Sequence, residues 1–274
     1  MILGAHVRRR GIGLRGVVHE CVARGADCAQ VFLSNPRAWA PPLLRDEDAA
    51  AYRETWRASG LGPLAAHAPY PVNVASHDAT IRARSRRLLE ATARAAGAVG
   101  ADLVVVHSGS RGPASAALGR RRAAEVLREV VGAAPPGVTV AVELMAGTSG
   151  AVASTVEEAV ALLAVAGEDR LALCLDTCHL FATGYALDTA EGVEALVERV
   201  RDAGLLARLA LVHANDSAFG RGEHRDRHAD VGEGTLDWAA LARSALSSVP
   251  WVLETPGDEA RQRADLVSLR ALAG

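Results

Sequence analysis

Lysine is absent from this sequence of 274 residues: all 30 basic side chains are arginine. That absence excludes imine-forming chemistry and the phosphate-binding lysine of a P-loop. Cysteine is scarce. Cys21, Cys28, Cys174 and Cys178 form no CxxC pair and no dense framework, so buried, reduced thiols in a cytoplasmic protein are expected. No apolar run reaches the roughly 18–20 residues that cross a bilayer. The chain opens directly on Ile2-Leu3 with no basic leader, so neither a membrane partner nor an export signal is expected. An excess of one charge is missing too, since 30 basic and 32 acidic groups leave a net −2. A protein that coats nucleic acid by net charge is strongly basic; any DNA contact here has to be local. What is present is half hydrophobic and 23% charged, enough for a sizeable core and too apolar for wholesale disorder.

Short β-rich runs alternate with longer helical patterns from end to end. Strands are expected at Ile2–His6, Ala29–Leu33, Leu64–Ala68, Leu103–His107, Thr139–Leu144, Leu171–Leu175, Leu209–His213 and Trp251–Glu254. Most are continuous apolar runs, as parallel strands covered on both faces require. Apolar residues at three- and four-residue spacing predict helices over Ile81–Val99, Ala116–Val131, Glu191–Leu205 and Asp258–Leu272. Ser154 followed by Glu157 reads as a capping box for the fifth helix, and Gly25, Gly60, Gly100, Gly167 and Gly204 fall where helices should stop. Eight strands alternating with eight helices is the count of a closed (β/α)8 barrel. An open doubly wound sheet would place a glycine-rich phosphate loop after its first strand; Gly11-Ile12-Gly13 lacks the third glycine. With no linker, low-complexity block or longer repeat, residues 1–274 are expected to form a single TIM-barrel domain of α/β class.

Histidines and carboxylates fall at informative places. His67 ends the third expected strand and His107 the fourth. Glu143 lies at the end of the fifth, Asp176 directly follows the sixth, and His179 comes three residues later. His213 ends the seventh, Asp226 and His228 lie in the loop after it, and Glu254 ends the eighth. In a barrel, strand C-termini and the loops after them converge on one mouth, where active sites of this fold sit. Singly, a strand-end histidine is more often a hydrogen-bonded structural residue, and an aspartate after a strand is often a helix cap. Together, four carboxylates at one mouth would repel one another unless cations held them. Imidazole with carboxylate and no thiolate suits zinc or manganese, and the mixture favours zinc at catalytic sites. Nine ligands at three or four per ion, with one bridging carboxylate, accommodate two or three divalent ions. Three would set +6 against −4, a site suited to an anionic phosphodiester.

These residues sit in an ordered set of motifs: Gly4-Ala5-His6-Val7, His67-Ala68-Pro69-Tyr70, Leu175-Asp176-Thr177-Cys178-His179, Gly184-Tyr185, His213-Ala214-Asn215-Asp216-Ser217, Asp226-Arg227-His228, Gly232-Glu233-Gly234 and Glu254-Thr255-Pro256. In this order the chain resembles the endonuclease IV family, zinc-dependent apurinic/apyrimidinic endonucleases, over essentially its whole length. The resemblance implies three zinc ions, with manganese admissible at one position. One would be held by His67, His107 and Glu143, a second by Glu143, Asp176, His213 and Glu254, and a third by His179, Asp226 and His228. Glu143 and Glu254 are the candidate catalytic residues. The resemblance further implies metal-activated attack on the phosphorus 5′ to an abasic sugar, leaving a 3′ hydroxyl and a 5′ deoxyribose phosphate, with trimming of blocked 3′ ends as a side activity.

The implied partner is double-stranded DNA containing abasic sites, bound by a monomer that needs no nucleotide cofactor. Extruding a nucleotide costs a few kcal/mol, least at a damaged site, and Arg37 and Tyr70 match family positions that enter the minor groove. Arg225 and Arg227, with Arg8, Arg9 and Arg10, are candidates for a phosphate-binding rim; Arg120-Arg121-Arg122 reads as a solvated helix face. The chain departs from the family at Pro71, Ser108, Leu144-Met145 and Ala218, none of which removes a ligand. These departures bear on DNA affinity more than on metal binding. Two rival readings are a metal-dependent sugar isomerase or epimerase of the xylose-isomerase-like class, which often needs a lysine, and a non-catalytic nucleic-acid-binding relative.

Overall fold

A computed structural model of the chain describes residues 1–8 and 13–274. The strands are β1 (Leu3–His6), β2 (Cys28–Phe32), β3 (Leu64–His67), β4 (Leu103–His107), β5 (Thr139–Glu143), β6 (Leu171–Asp176), β7 (Leu209–His213), β8 (Asp216–Ser217), β9 (His228–Ala229) and β10 (Trp251–Leu253). The helices are α1 (Gly13–Arg24), α2 (Asp46–Ser59), α3 (Ala79–Val99), α4 (Ala116–Ala133), α5 (Val156–Ala166), α6 (Thr177–Thr183), α7 (Ala190–Asp202), α8 (Trp238–Arg243) and α9 (Glu259–Ala273). Eight parallel strands close a barrel in the order β1-β10-β7-β6-β5-β4-β3-β2, and β8 and β9 make a separate antiparallel pair. The expected (β/α)8 barrel is the observed fold, and each barrel strand begins and ends within one residue of its expected limits.

Alternation along the strands builds the barrel interior. Every second side chain of a strand points inward. Cys28, Ala65, Leu103, Val105, Ala141, Ala172, Cys174, Leu211 and Val252 accordingly form one buried apolar cluster inside the ring. At Gly4 of β1 no side chain fits, because a Cβ would stand 2.1 Å from the carbonyl oxygen of Cys28. A larger buried set, including Leu3, Val31, Leu64, Val104, Val142, Leu173 and Val212, faces the helices. Two residues beyond the apolar layer, the inward positions become His6, Gln30, His67, His107, Glu143, Asp176, His213 and Glu254. A polar layer thus closes the C-terminal mouth, one side chain from each strand or its immediate end.

Three local expectations are corrected. The capping box at α5 pairs Thr155 with Glu158, not Ser154 with Glu157. Both pairs have the same spacing, but Thr155 Oγ1 accepts from Glu158 N at 3.2 Å while the Glu158 carboxylate accepts from Ser154 N at 2.8 Å and Thr155 N at 3.3 Å. The connection after β6 holds two helices rather than one, so the described residues contain nine α-helices. Asp176 ends β6 and at once caps α6, its Oδ1 accepting from His179 N at 2.9 Å. The helix expected to run to Leu205 stops at Asp202, and a 3-10 turn at Leu206–Arg208 follows. Gly60, Gly100 and Gly167 end their helices in the left-handed region as expected. Arg9, Arg10, Gly11 and Ile12 lie outside the described residues; Arg8 is exposed. Of the arginine triplet on α4, Arg121 is exposed while Arg120 and Arg122 are half-buried.

Candidate metal centre

All nine candidate ligands converge on the mouth, and their donor atoms fall into three groups. His67, His107 and Glu143 form one, Glu143, Asp176, His213 and Glu254 a second, and His179, Asp226 and His228 a third; within each, the donor atoms lie within 4.8 Å of one another. Glu143 joins the first two. Its Oε2 is 3.3 Å from His67 Nε2 and 3.4 Å from His107 Nε2, while its Oε1 is 3.2 Å from His213 Nδ1. Glu254 Oε2 lies 3.4 Å from the same His213 nitrogen. In the third group, Asp226 is 3.2 Å from His179 Nε2 and 3.3 Å from His228 Nε2.

Hydrogen bonds fix which ring nitrogen faces each group. A carbonyl oxygen only accepts, so the nitrogen beside it carries the proton and the other is left as a donor of its lone pair. His67 Nδ1 donates to the Ala68 carbonyl at 2.7 Å, and His179 Nδ1 to that of Leu144 at 2.8 Å. His228 Nδ1 donates to the backbone carbonyl of Glu254 at 3.3 Å, and His213 Nε2 to Gln30 Oε1 at 3.0 Å. The remaining nitrogen of each ring turns into its group. Asp176 divides its oxygens likewise: Oδ1 caps α6, and Oδ2 accepts from Asn215 Nδ2 at 2.7 Å and stands 3.5 Å from His228 Nε2. Helix cap and ligand candidate are therefore the same residue.

The donor set fits divalent cations. His213 Nδ1 and His228 Nε2 are buried without a hydrogen-bond partner, although carboxylate oxygens surround both. Tetrahedral coordination at about 2.0–2.2 Å separates neighbouring donor atoms by roughly 3.3–3.6 Å. Within the groups, spacings of 3.2–3.4 Å match such an edge and are longer than most direct hydrogen bonds; His213 Nδ1 and Asp176 Oδ2 stand further apart, at 3.9 Å. Protons occupy these places when no cation does. Burial disfavours a charged ring at His179, yet Asp176, Asp226 and Glu143 outweigh it and hold its pKa well above the ordinary imidazole value. At His228 burial acts in the same direction, but Asp176 and Asp226 raise the pKa to about 9. Burial would raise Glu143, and the surrounding histidines, His213 and His107 foremost, instead hold it well below the carboxylate range. The Cys174 Sγ lies with Glu143 and His213, and the Cys178 Sγ with Asp176 and His228; burial pushes both thiols up to about 12.

Three further residues hold the ligands, and none stood out as a site residue in the sequence. Gln30 Nε2 donates to Glu254 Oε1 at 2.6 Å, and His6 Nδ1 lies 2.9 Å from the same oxygen. Asn215 bridges β6 to the segment after β10, giving Nδ2 to Asp176 and accepting from Glu254 N at 2.8 Å. The period-two register was the available signal for His6 and Gln30, since each lies two residues beyond an inward position of the apolar layer.

The expected DNA-contacting residues lie at the surface. Arg37, Tyr70, Arg225 and Arg227 are all exposed. Tyr70 N donates to the Pro36 carbonyl at 2.8 Å, which sets Tyr70 beside the Arg37 loop, and its ring meets Phe32 edge-on at 5.3 Å. Arg225 stacks over Phe219 at 3.5 Å. Two departures from the family pattern have local roles. Ser108 Oγ donates to the Ala153 carbonyl at 2.9 Å, and Leu144 is fully buried while its carbonyl orients His179.

Comparison with known proteins agrees with this fold. The family model described as a xylose isomerase-like TIM barrel matches residues 18–272. A probable endonuclease 4 of Natronomonas pharaonis is 34% identical, covering 94% of this chain and 93% of its own length. One of Solibacter usitatus is 37% identical over 91% of this chain and 89% of its own. Endonuclease IV from Thermus thermophilus superposes with a TM-score of 0.87 at 31% identity, covering 99% of this chain and 98% of that one. The chain belongs to the endonuclease IV family. As a member of it, the chain is a phosphodiester-hydrolysing nuclease. A D-psicose 3-epimerase from Clostridium cellulolyticum is also similar, with a TM-score of 0.75 at 15% identity, and that likeness is one of fold alone. Among the described residues no helix is long and apolar enough to cross a membrane.

Proposed function

We propose that this endonuclease IV family member acts in DNA repair as a single-domain cytoplasmic monomer. It hydrolyses the phosphodiester 5′ to an abasic site in duplex DNA and leaves a 3′ hydroxyl and a 5′ deoxyribose phosphate. The observation that carries this reading is the grouping of nine imidazole and carboxylate donors into three sets, two of which share Glu143. His67, His107 and Glu143 would hold one zinc ion, Glu143, Asp176, His213 and Glu254 a second, and His179, Asp226 and His228 a third, with manganese tolerated at one of them. Bound there, divalent ions supply Lewis-acid stabilisation of phosphate charge and acidify water.

The protein's own groups do the rest. Gln30 and His6 hold Glu254 from behind, and Asn215 fixes the spacing of Asp176 and Glu254. Preorganised donors of this kind lose nothing to rearrangement as charge develops on the phosphate. Tyr70 and Arg37, on adjoining segments at the rim, engage the displaced nucleotide and its strand, while Arg225 and Arg227 meet flanking phosphates. Without lysine the chain cannot take an imine route through the abasic sugar.

The test is incision of a duplex carrying one abasic site, with both new ends identified chemically and zinc counted in the same preparation. About three zinc per chain and hydrolytic ends are expected, and chelation should remove both ions and activity. Epimerisation of a ketohexose without DNA cleavage would favour the sugar-enzyme reading. Tight binding to abasic duplex without turnover, at full zinc loading, would leave a binding protein.

A further inference from the structure

Among the described residues, His224 is the one non-glycine residue with positive φ, at 54°. A side chain in this conformation is strained and persists only where surrounding contacts over-determine it. The contacts are present. His224 lies in the loop between β8 and β9, and its N–H donates to the Ala182 carbonyl at 2.9 Å, while Gly222 N donates to the Phe181 carbonyl at 3.0 Å. Both acceptors are carbonyls in the last turn of α6; that of Phe181 also accepts from the capping Gly184 N at 3.0 Å, while that of Ala182 is met by the loop. The His224 ring seats on Gly147, where an added Cβ would stand 2.5 Å from its Nδ1 and where φ is +71°. At its base the loop is held by the β8–β9 pairing and by Ala218 N donating to the Arg227 carbonyl at 3.0 Å.

The two anchor points bracket one ligand candidate. His179 rides on α6, His228 on β9, and Asp226 on the loop between the anchors. Asp226 reaches His179 and His228 from the solvent side, with its side chain 49% exposed. The inner groups need no such device, because their donors project from barrel strands or their immediate ends.

We propose that His224 is a positioning residue. Its left-handed backbone and its seat on Gly147 latch the loop onto α6, and this latch assembles the His179–Asp226–His228 group separately from the two inner groups. The inference rests on reading that group as a cation site. The experiment is zinc titration against a competing chelator, with the full chain and each ion counted. Asp226→Ala identifies the outer ion by its loss. His224→Val, whose branched side chain resists positive φ, is expected to weaken that ion by about tenfold or more, the scale of outer-shell effects, and to leave the inner two unchanged. His224→Asn, which accepts the left-handed region, should recover most of that affinity. Gly147→Ala, which presses on the same ring, should weaken the same ion. Wild-type zinc affinity in His224→Val, or equal losses in the Val and Asn variants, would overturn the latch alone. Equal zinc content in wild type and Asp226→Ala would overturn the cation reading of this group and the latch with it.

Discussion

Two layers of side chains fill this barrel, and a step of two residues separates them. Below lie Ala65, Val105, Ala141, Cys174, Leu211 and Val252, small or branched and buried together. Above lie His67, His107, Glu143, Asp176, His213 and Glu254, equally tied to the strand register but polar, and grouped tightly enough to share cations. The lower layer lowers the free energy of the closed barrel by removing apolar surface from water. The upper layer cannot, since three carboxylates and three imidazoles gathered out of water cost stability unless paired. The teaching of the contrast is that the same strand positions serve opposite ends: one layer holds the scaffold closed, and the next spends part of that stability on a preorganised charge cluster.

Substitutions should divide along this line. The largest effect is expected from Glu143→Ala, which removes the carboxylate common to two groups. It should lose at least one tightly held zinc ion by elemental analysis, and the several kcal/mol of charge stabilisation forfeited correspond to a rate loss of at least about 10²–10³. Leu211→Ala, one layer below, should cost roughly 2–5 kcal/mol of unfolding free energy in denaturant titration while the zinc count stays unchanged. If instead it emptied the mouth, the two layers would not be separable.

Gln30→Ala tests the boundary between them. Gln30 is buried and holds both Glu254 and His213; zinc affinity by chelator competition should fall about 10–100-fold, with little change in melting temperature. The smallest effect is a pH dependence of the outer His179–Asp226–His228 group, which lies beyond both layers. His228 is raised from 6.5 to about 9 in the fold, so its proton stabilises the metal-free protein fully below the unfolded value and ceases to as pH rises through about 9. Melting temperature of the metal-free chain should therefore decline between about pH 6.5 and 9. Zinc affinity should rise over the same interval, because each ion must displace protons from its ligands. A flat profile in the metal-free chain would mean that protons do not hold the outer group together.

Much of this was legible in the chain. The strands were readable because short apolar runs recur between longer helical patterns, and six of the nine candidate ligands were readable because they close those runs; His179, Asp226 and His228 were readable only as residues of the segments that follow them. His6 and Gln30 were not singled out: each is a polar residue in an otherwise apolar strand, and its meaning depends on facing Glu254 across the barrel. The capping box was placed one residue early because Ser154-Thr155 and Glu157-Glu158 offer two registers with identical spacing. α6 went unseen as a separate helix, since seven residues carry too little periodicity to be distinguished from the connection to α7.

The chain's linear pattern thus determined the barrel, through alternation that holds along each strand, and the identity of the donors at its mouth, through their position at strand ends. Tertiary structure alone decided how the donors are shared: that Glu143 faces two groups with its two oxygens, that Asp176 caps a helix and still turns an oxygen to the cluster, and that a left-handed turn at His224 brings Asp226 to His179. Each of these depends on distances between residues far apart in the chain, which closure of the barrel sets and no local spacing encodes.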